Sequence, residues 1–183
     1  MAIVKPVMLD LFAGLGGASR AMRERGWSVT TVDVDPRFGC DVTTDVRSYH
    51  WTGGPVDLLW ASPPCDEFSR ESMPWCRTGV DPDVSLIGHV LRIESEIAPR
   101  FWLLENVRGA RPWLKDILGP PVISTGPIYL WGRMPPLLLP DVRGWKERLS
   151  SSRAAERAEM PWEISHAVAL AVEACMPVER IAP

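Results

Sequence analysis

The chain lacks the marks of a secreted or membrane protein. Its four cysteines, Cys40, Cys65, Cys76 and Cys175, form no CxxC pair, no apolar run reaches 18 residues, and no basic-then-apolar leader opens it. The expectation is a cytoplasmic protein with free thiols, no metal site and no membrane attachment. A large positive charge is also missing: the formal net charge is −3, which argues against a uniformly basic nucleic-acid coat. The sum hides a division, however, because residues 1–99 sum to −5, residues 100–157 to +5 and residues 158–183 to −3. The third quarter therefore fits either a basic face or a solvated loop surface. Extremes of composition are absent too. With 46% apolar and 23% charged residues in 183, the chain reads as one ordinary globular domain that buries about two thirds of its unfolded surface.

What is present begins with an apolar run, Val7-Met8-Leu9, followed by Asp10-Leu-Phe-Ala-Gly-Leu-Gly-Gly17 and then Ala18 to Arg25. Strand, glycine turn, helix is the order in which α/β sheets bind nucleotide-type cofactors, since glycines admit the ligand to the backbone and the helix offers free N–H groups. Alone, such a turn equally well only reverses the chain. It has no Lys-Ser/Thr for a triphosphate. Gly26 is placed to stop the helix, and Trp27 to Val32 reads as a β-branched second strand ending at Asp33-Val34-Asp35. Asp33, nineteen residues past Gly14, stands where an acid takes ribose hydroxyls, although a strand-end Asp also serves as a turn former. Asp45, in a short strand or loop over 41–47, is a candidate acceptor for an adenine amine.

Val56 to Ala61 is a continuous apolar run, as expected for a central strand covered on both faces. It empties into Ser62-Pro63-Pro64-Cys65-Asp66-Glu67-Phe68-Ser69, where two prolines stiffen the corner and display Cys65. A lone cysteine is ordinarily a small buried hydrophobe; on a rigid corner beside a cofactor site, a nucleophile is the better account. Residues 70–83 read as a mobile loop. Leu86, Val90, Ile93 and Ile97 make one stripe of a helix ended by Pro99. Phe101 to Leu104 is another buried strand, delivering Glu105-Asn106-Val107-Arg108-Gly109 to the sheet edge; Glu105 suits proton chemistry or helix capping equally. Beyond Gly109 repeated prolines argue against a long helix before 140. Ile128 to Trp131 reads as a strand and Gly132-Arg133 as a turn. Ile164, Ala167, Val168, Ala171, Val172 and Cys175 recur at the spacing of a closing helix in which His166 is structural.

Three motifs in order, Asp10 to Gly17, Pro64-Cys65-x-x-Phe68-Ser69 and Glu105-Asn106-Val107-x-Gly109, resemble the cytosine-5 DNA methyltransferases over residues 5 to about 115. The resemblance implies a Rossmann-like α/β fold, a mostly parallel sheet flanked by helices, holding S-adenosylmethionine. It implies cofactor contacts from Asp10, Phe12, Ala13, Gly14, Gly16, Gly17, Asp33, Val34, Asp45, Val46 and Pro64. It implies attack by Cys65 on C6 of a flipped-out cytosine with Glu105 at N3 and the exocyclic amine, and substrate contacts from Ser62, Pro63, Phe68, Ser69, Asn106, Val107 and Arg108. Three departures stand out. Asp66 replaces the family's Gln, its Gln-x-Arg-x-Arg strand is not recognisable, so that Arg133 is the substitute, and its Gly-Asn-x-Val helix has only Ser165 to Val168 as a counterpart. A target-recognition domain is absent or reduced to about 134–160, whose Arg143, Trp145, Lys146, Arg148, Arg153 and Arg157 suit phosphate contact and stacking or simple exposure. The expected protein is a minimal, monomeric, bacterial or phage-type DNA methyltransferase over 1–183, with a protein partner for target choice as one option. Its rivals are the same chemistry on RNA or a free cytosine nucleotide, and a binding module without turnover.

Overall fold

A computed structural model describes residues 5–75, 77–142 and 159–177. Cys76 and the basic residues of 143–157 named above lie outside them. A seven-stranded sheet runs through the molecule in the order β3-β2-β1-β4-β5-β7-β6. Its strands are β1 (Val7–Leu11), β2 (Ser28–Asp33), β3 (Val42–Thr43), β4 (Leu58–Ala61), β5 (Phe101–Val107), β6 (Ile123–Thr125) and β7 (Ile128–Arg133). The first five are mutually parallel, whereas β7 runs antiparallel to both β5 and β6. The expected mostly parallel α/β sheet is therefore present, and β4 stands at its centre. The helices are α1 (Arg20–Glu24), α2 (Asp66–Ser72), α3 (Ser85–Ile97), α4 (Arg111–Leu118) and, after 158, α5 (Trp162–Glu173).

Side chains alternate across each strand, and the two faces collect separate cores. Met8, Leu58, Trp60, Leu103 and Leu130 meet α1 and α5 on one face. Leu9, Leu59, Ala61, Leu104 and Trp131 meet α2, α3 and α4 on the other. All of these residues are buried. Buried Ser165 links α5 to α1: its hydroxyl donates to the Ala18 carbonyl at 2.7 Å and accepts from the Ala21 N–H at 3.3 Å. His166 stacks on Trp162, with ring centroids 4.4 Å apart. Cys175 lies past the end of α5 and is exposed, so it does not belong to the helix stripe.

Three elements differ from expectation. The loop expected from residue 70 begins only after Ser72, and α2 tethers the part that follows: Glu71 accepts from the Thr78 N–H at 2.9 Å and Glu67 from the Asp83 N–H at 2.7 Å. A helix, α4, forms where prolines argued against a long one, because Pro112 sits in its first turn, where no intrahelical N–H is needed. Gly132 and Arg133 are strand residues, not a turn. Gly132 has φ 127°, and a Cβ there would come within 2.2 Å of the Trp102 carbonyl oxygen, so glycine serves close strand approach. Among the described residues no helix is long and apolar enough to cross a membrane.

Candidate active site

The chain steps outward in one direction from β1 to β2 and β3, and in the other from β4 to β5. The carboxyl ends of β1 and β4 thus flank a topological switch point, where open α/β sheets leave a crevice for ligands. The glycine turn leaves β1 here and the Pro-Pro-Cys corner leaves β4. The Ser62 N–H donates to the Leu11 carbonyl at 3.2 Å, fixing the base of the corner to β1.

On the β2 side the glycine turn is wired to its neighbours. Gly14 (φ 51°) donates its N–H to Asp33 Oδ2 at 3.0 Å, and Asp33 Oδ1 accepts from the Asp35 N–H at 2.9 Å. Ala13 donates to the Val32 carbonyl at 3.1 Å. Phe12 has φ 58°, a left-handed conformation that a bulky residue adopts only when its surroundings enforce it. The result is a cavity of about 230 Å³ lined by Phe12, Asp33, Val34, Asp45, Val46 and Pro64, together with Thr44, Arg47 and Leu86. Seven of the expected cofactor contacts thus meet: six line one cavity and Gly14 braces its Asp33. Leu86, which sequence reasoning missed, closes the cavity from α3. Its only signal was that it stands one residue off the buried Ile87, Val90, Ile93 line. Arg47 holds Asp45 by its N–H at 2.8 Å and its guanidinium at 3.0 Å, and these bonds pull the Asp45 pKa below its ordinary value.

Asp10 is buried one residue before the end of β1, and among the described residues neither carboxylate oxygen has a hydrogen-bond partner. Burial raises its pKa to about 7, with the nearby Ser19 hydroxyl, which donates to the Gly16 carbonyl at 3.3 Å, and the Arg23 charge opposing the rise only in part. A nucleoside-sized cavity beside the end of β1, the strand that carries the buried Asp10 carboxylate, fits a cofactor that joins an adenine nucleoside to a cationic amino-acid tail. S-adenosylmethionine has that composition. Gly17 does not contact this cavity: a Cβ there would meet Glu159 Cγ at 2.5 Å and Met160 N at 2.7 Å, so Gly17 admits the segment before α5. A second cavity, about 340 Å³, lies where Gly14 and Gly16 face Arg20, Arg23, Thr31 and Cys40. Its cations are already neutralised, Arg20 by Glu159 at 3.1 Å and Arg23 by Asp41 at 2.9 Å.

On the β5 side, Cys65 is half-buried as the residue that precedes α2, and it is not in a disulfide. Glu105 is half-buried on β5, one residue beyond the Ala61–Leu104 pair that ends the β4 ladder. It lies within the strand, not past its end, because antiparallel β7 carries the pairing on to Val107. Asn106 is buried; its amide donates to the Pro63 carbonyl at 3.2 Å while its oxygen accepts from the Val107 N–H at 2.9 Å. This places Asn106 as the brace between the Glu105 strand and the Cys65 corner, not as a surface for substrate. Phe68 is also removed from the expected substrate contacts, since it is 2% exposed in the core beneath α2. Ser62 accepts from Trp60 Nε1 at 3.1 Å, Pro63 is buried, and Ser69 continues α2 with its N–H on the Cys65 carbonyl at 2.8 Å. Arg108 is exposed at the rim beside Val107.

Arg133 is not at this edge. Antiparallel β7 puts Ile128 beside Val107 and Arg133 beside Trp102, near the opposite end of β5, where its guanidinium donates to the Pro99 carbonyl at 2.6 Å. Among the described residues no group of three His, Cys, Asp or Glu side chains could hold a metal ion.

Residues 7–112 match the model of the C-5 cytosine-specific DNA methylase family. Among curated relatives, Type II methyltransferase M.XorII of Xanthomonas oryzae pv. oryzae is 29% identical over 63% of this chain and 32% of its own. A probable DNA (cytosine-5)-methyltransferase of Frog virus 3 is 38% identical over 54% of this chain and 52% of its own. Type II methyltransferase M.NgoMIV of Neisseria gonorrhoeae is 29% identical over 55% and 35%. The chain thus spans between about a third and a half of the length of these relatives.

Proposed function

The chain belongs to the C-5 cytosine-specific DNA methylase family, and from that premise we propose that it methylates cytosine at C5 in DNA with S-adenosylmethionine as donor. The observation that carries this reading is the Asn106 to Pro63 hydrogen bond of 3.2 Å, which holds a nucleophile corner and an acid-bearing strand together beside the nucleoside-sized cavity.

Asp33 takes the ribose hydroxyls and Asp45 the adenine amine, each with lone pairs left over from its bonds within the chain. Val34, which is 63% exposed, and Phe12 offer apolar surface to the adenine. The Asp10 carboxylate receives the cationic end. The cofactor, when bound, supplies an electrophilic methyl group. Cytosine C5 is a poor nucleophile until C6 is saturated, so the Cys65 thiolate adds to C6 while Glu105 holds the exocyclic amine and a proton at N3, relieving the charge that enters the ring. C5, now part of an enamine, would take the methyl group as its bond to the donor's sulfonium sulfur breaks, the electron pair remaining on sulfur in a neutral thioether. Loss of the C5 proton to a base then expels Cys65 and restores the aromatic ring. C6 is stacked inside a duplex, so the base is flipped out or supplied single-stranded.

Residues 134–161 are all that separate β7 from α5. So short a segment favours short or relaxed sequence preference or a protein partner that selects the target. The test is covalent capture: with S-adenosylmethionine and DNA containing 5-fluorocytosine, the protein is expected to form a stable adduct that Cys65→Ser abolishes. Capture of RNA or of a cytosine nucleotide alone would reassign the substrate. Cofactor binding without capture of any of the three would leave only a binding module.

A further inference from the structure

Several cations of the described residues are neutralised within the fold: Arg47, which lines the cofactor cavity, by Asp45, Arg23 by Asp41 and Arg92 by Glu96. Arg108, Arg111 and Lys115 are all exposed, and none has a carboxylate or carbonyl partner among the described residues; Arg111 only lies over the Tyr129 ring, 5.6 Å from its centroid. Their spacing of three and then four residues, along the turn Arg108–Ala110 and into α4, sets them in a row along one flank of the helix, beside the buried Leu114. Asp116, the one carboxylate of α4, points about 100° around the helix from Lys115.

The row is also misplaced for helix stability. Arg111 is the first residue of α4, Arg108 lies just upstream, and the first turn holds no acid, so two cations crowd the positive end of the helix dipole. Local rules are broken in this way where a ligand of opposite charge repays the conflict. The place is next to the proposed chemistry, since the same turn packs against α2, which Cys65 immediately precedes, and follows Asn106, which braces the Cys65 corner.

We infer that Arg108, Arg111 and Lys115 form a phosphate-binding ridge that grips the backbone of the nucleic-acid strand presenting its cytosine to Cys65. This inference rests on the proposed methyl transfer to DNA. It gives the strand a sequence-independent grip.

The test compares the salt dependence of binding of a fluorescent cytosine-containing oligonucleotide, duplex and single-stranded, with capture of 5-fluorocytosine DNA run in parallel. For the triple variant Arg108→Ala, Arg111→Ala, Lys115→Ala, the slope of log affinity against log salt is expected to fall by about 2 to 3, with affinity near 0.1 M salt down on the order of 100-fold. The charge-keeping triple Arg108→Lys, Arg111→Lys, Lys115→Arg is expected to retain the wild-type slope. Lys115→Glu alone, at an exposed position that no core residue depends on, is expected to lower the slope by about 1. S-adenosylmethionine affinity should stay unchanged throughout, separating lost phosphate contact from misfolding. An unchanged slope in both the alanine triple and Lys115→Glu, with wild-type capture intact, overturns the ridge and leaves the proposed reaction standing. Absence of binding and capture by the wild-type protein overturns both.

Discussion

The two halves of the sheet's carboxyl edge are built on opposite terms. On the β2 side, Asp33, Asp41 and Asp45 are each engaged by backbone N–H groups or arginines, and Asp10 alone is left without a partner. On the β5 side, the scaffold is held by backbone pairing and Asn106, while the side chains of Arg108 and Lys115 have no carboxylate or carbonyl partner among the described residues. One half is wired to receive a small molecule with a single charge missing; the other is a braced platform with cations to spare. A small ligand fixed at many points favours pre-organised partners, whereas a polyanion bound along its backbone needs only charges in a row.

The largest effect tests the missing charge. A carboxyl with an ordinary pKa of 3.8 and a folded value of about 7 costs the apo-protein on the order of 4 kcal/mol once ionised. The folded chain binds the proton more tightly than the unfolded chain. The stabilising protonation is therefore complete at low pH and is lost as pH rises from about 4 through 7. Urea midpoints of the apo-protein relative to Asp10→Asn should accordingly diverge as pH rises across that window, with wild type the less stable. Cofactor affinity should move the other way, weakening about tenfold per pH unit below 7 because a cationic group must displace the proton, and Asp10→Asn should bind weakly with no such dependence. Calorimetry across pH 5.5 to 8.5, about the span of that titration, checks both; parallel profiles for the two proteins would mean that the buried carboxylate is structural and the two halves are not differently prepared.

A smaller effect should sit on the β5 side alone. Asn106→Ala leaves the buried Pro63 carbonyl without its donor, at a cost of about 1–3 kcal/mol. The same loss frees the Cys65 corner from the Glu105 strand. Methyl transfer is expected to fall at least tenfold, as misplacement by an ångström does in other sites, with cofactor affinity changed less than about twofold. Equal losses in both would join the halves into one cooperative unit.

How far this division could be read in advance depends on chemistry. Continuous apolar runs marked β1, β4 and β5, and the stripe Leu86, Val90, Ile93, Ile97 marked α3, although the buried line runs through Ile87 and leaves Leu86 to the cavity, because burial on both faces or on one leaves a periodic trace. The residues that gather around the cavity beside the glycine turn were legible since glycines and strand-end acids keep a fixed order along parallel β-α units. Past Gly109 the β7 strand and the closing helix were legible, but two details were not. A proline inside the first turn of α4 looks like a breaker, and a glycine that lets β7 approach Trp102 looks like a corner. Asn106 and Phe68 were misplaced for a related reason: a motif identifies residues that a site needs without distinguishing those that touch the ligand from those that hold the backbone. The partnerless state of Asp10 and of the ridge cations has no sequence signature, because it depends on what every neighbour does.

Arg133 gives the smallest effect and the sharpest check on which edge is reactive. Order along the chain made it the natural substitute for a substrate-binding arginine, and parallel placement of β7 would have put it at the carboxyl edge. Antiparallel pairing instead sets it beside Trp102, three register positions from the Glu105–Leu130 pair, or about 10 Å along the strand. Its half-buried bond to the Pro99 carbonyl ties the end of β7 to the residue before β5, a contact worth about 1 kcal/mol, somewhat more for a charged donor. Arg133→Met is therefore expected to lower the urea midpoint slightly while leaving methyl transfer and 5-fluorocytosine capture within about twofold of wild type. Arg108→Met should do the reverse, sparing stability and weakening capture as salt rises, because its guanidinium stabilises nothing in the described fold. If Arg133→Met instead abolished capture at full stability, the strand direction of β7, and with it the separation between a wired cofactor half and a cationic substrate half, would be wrong.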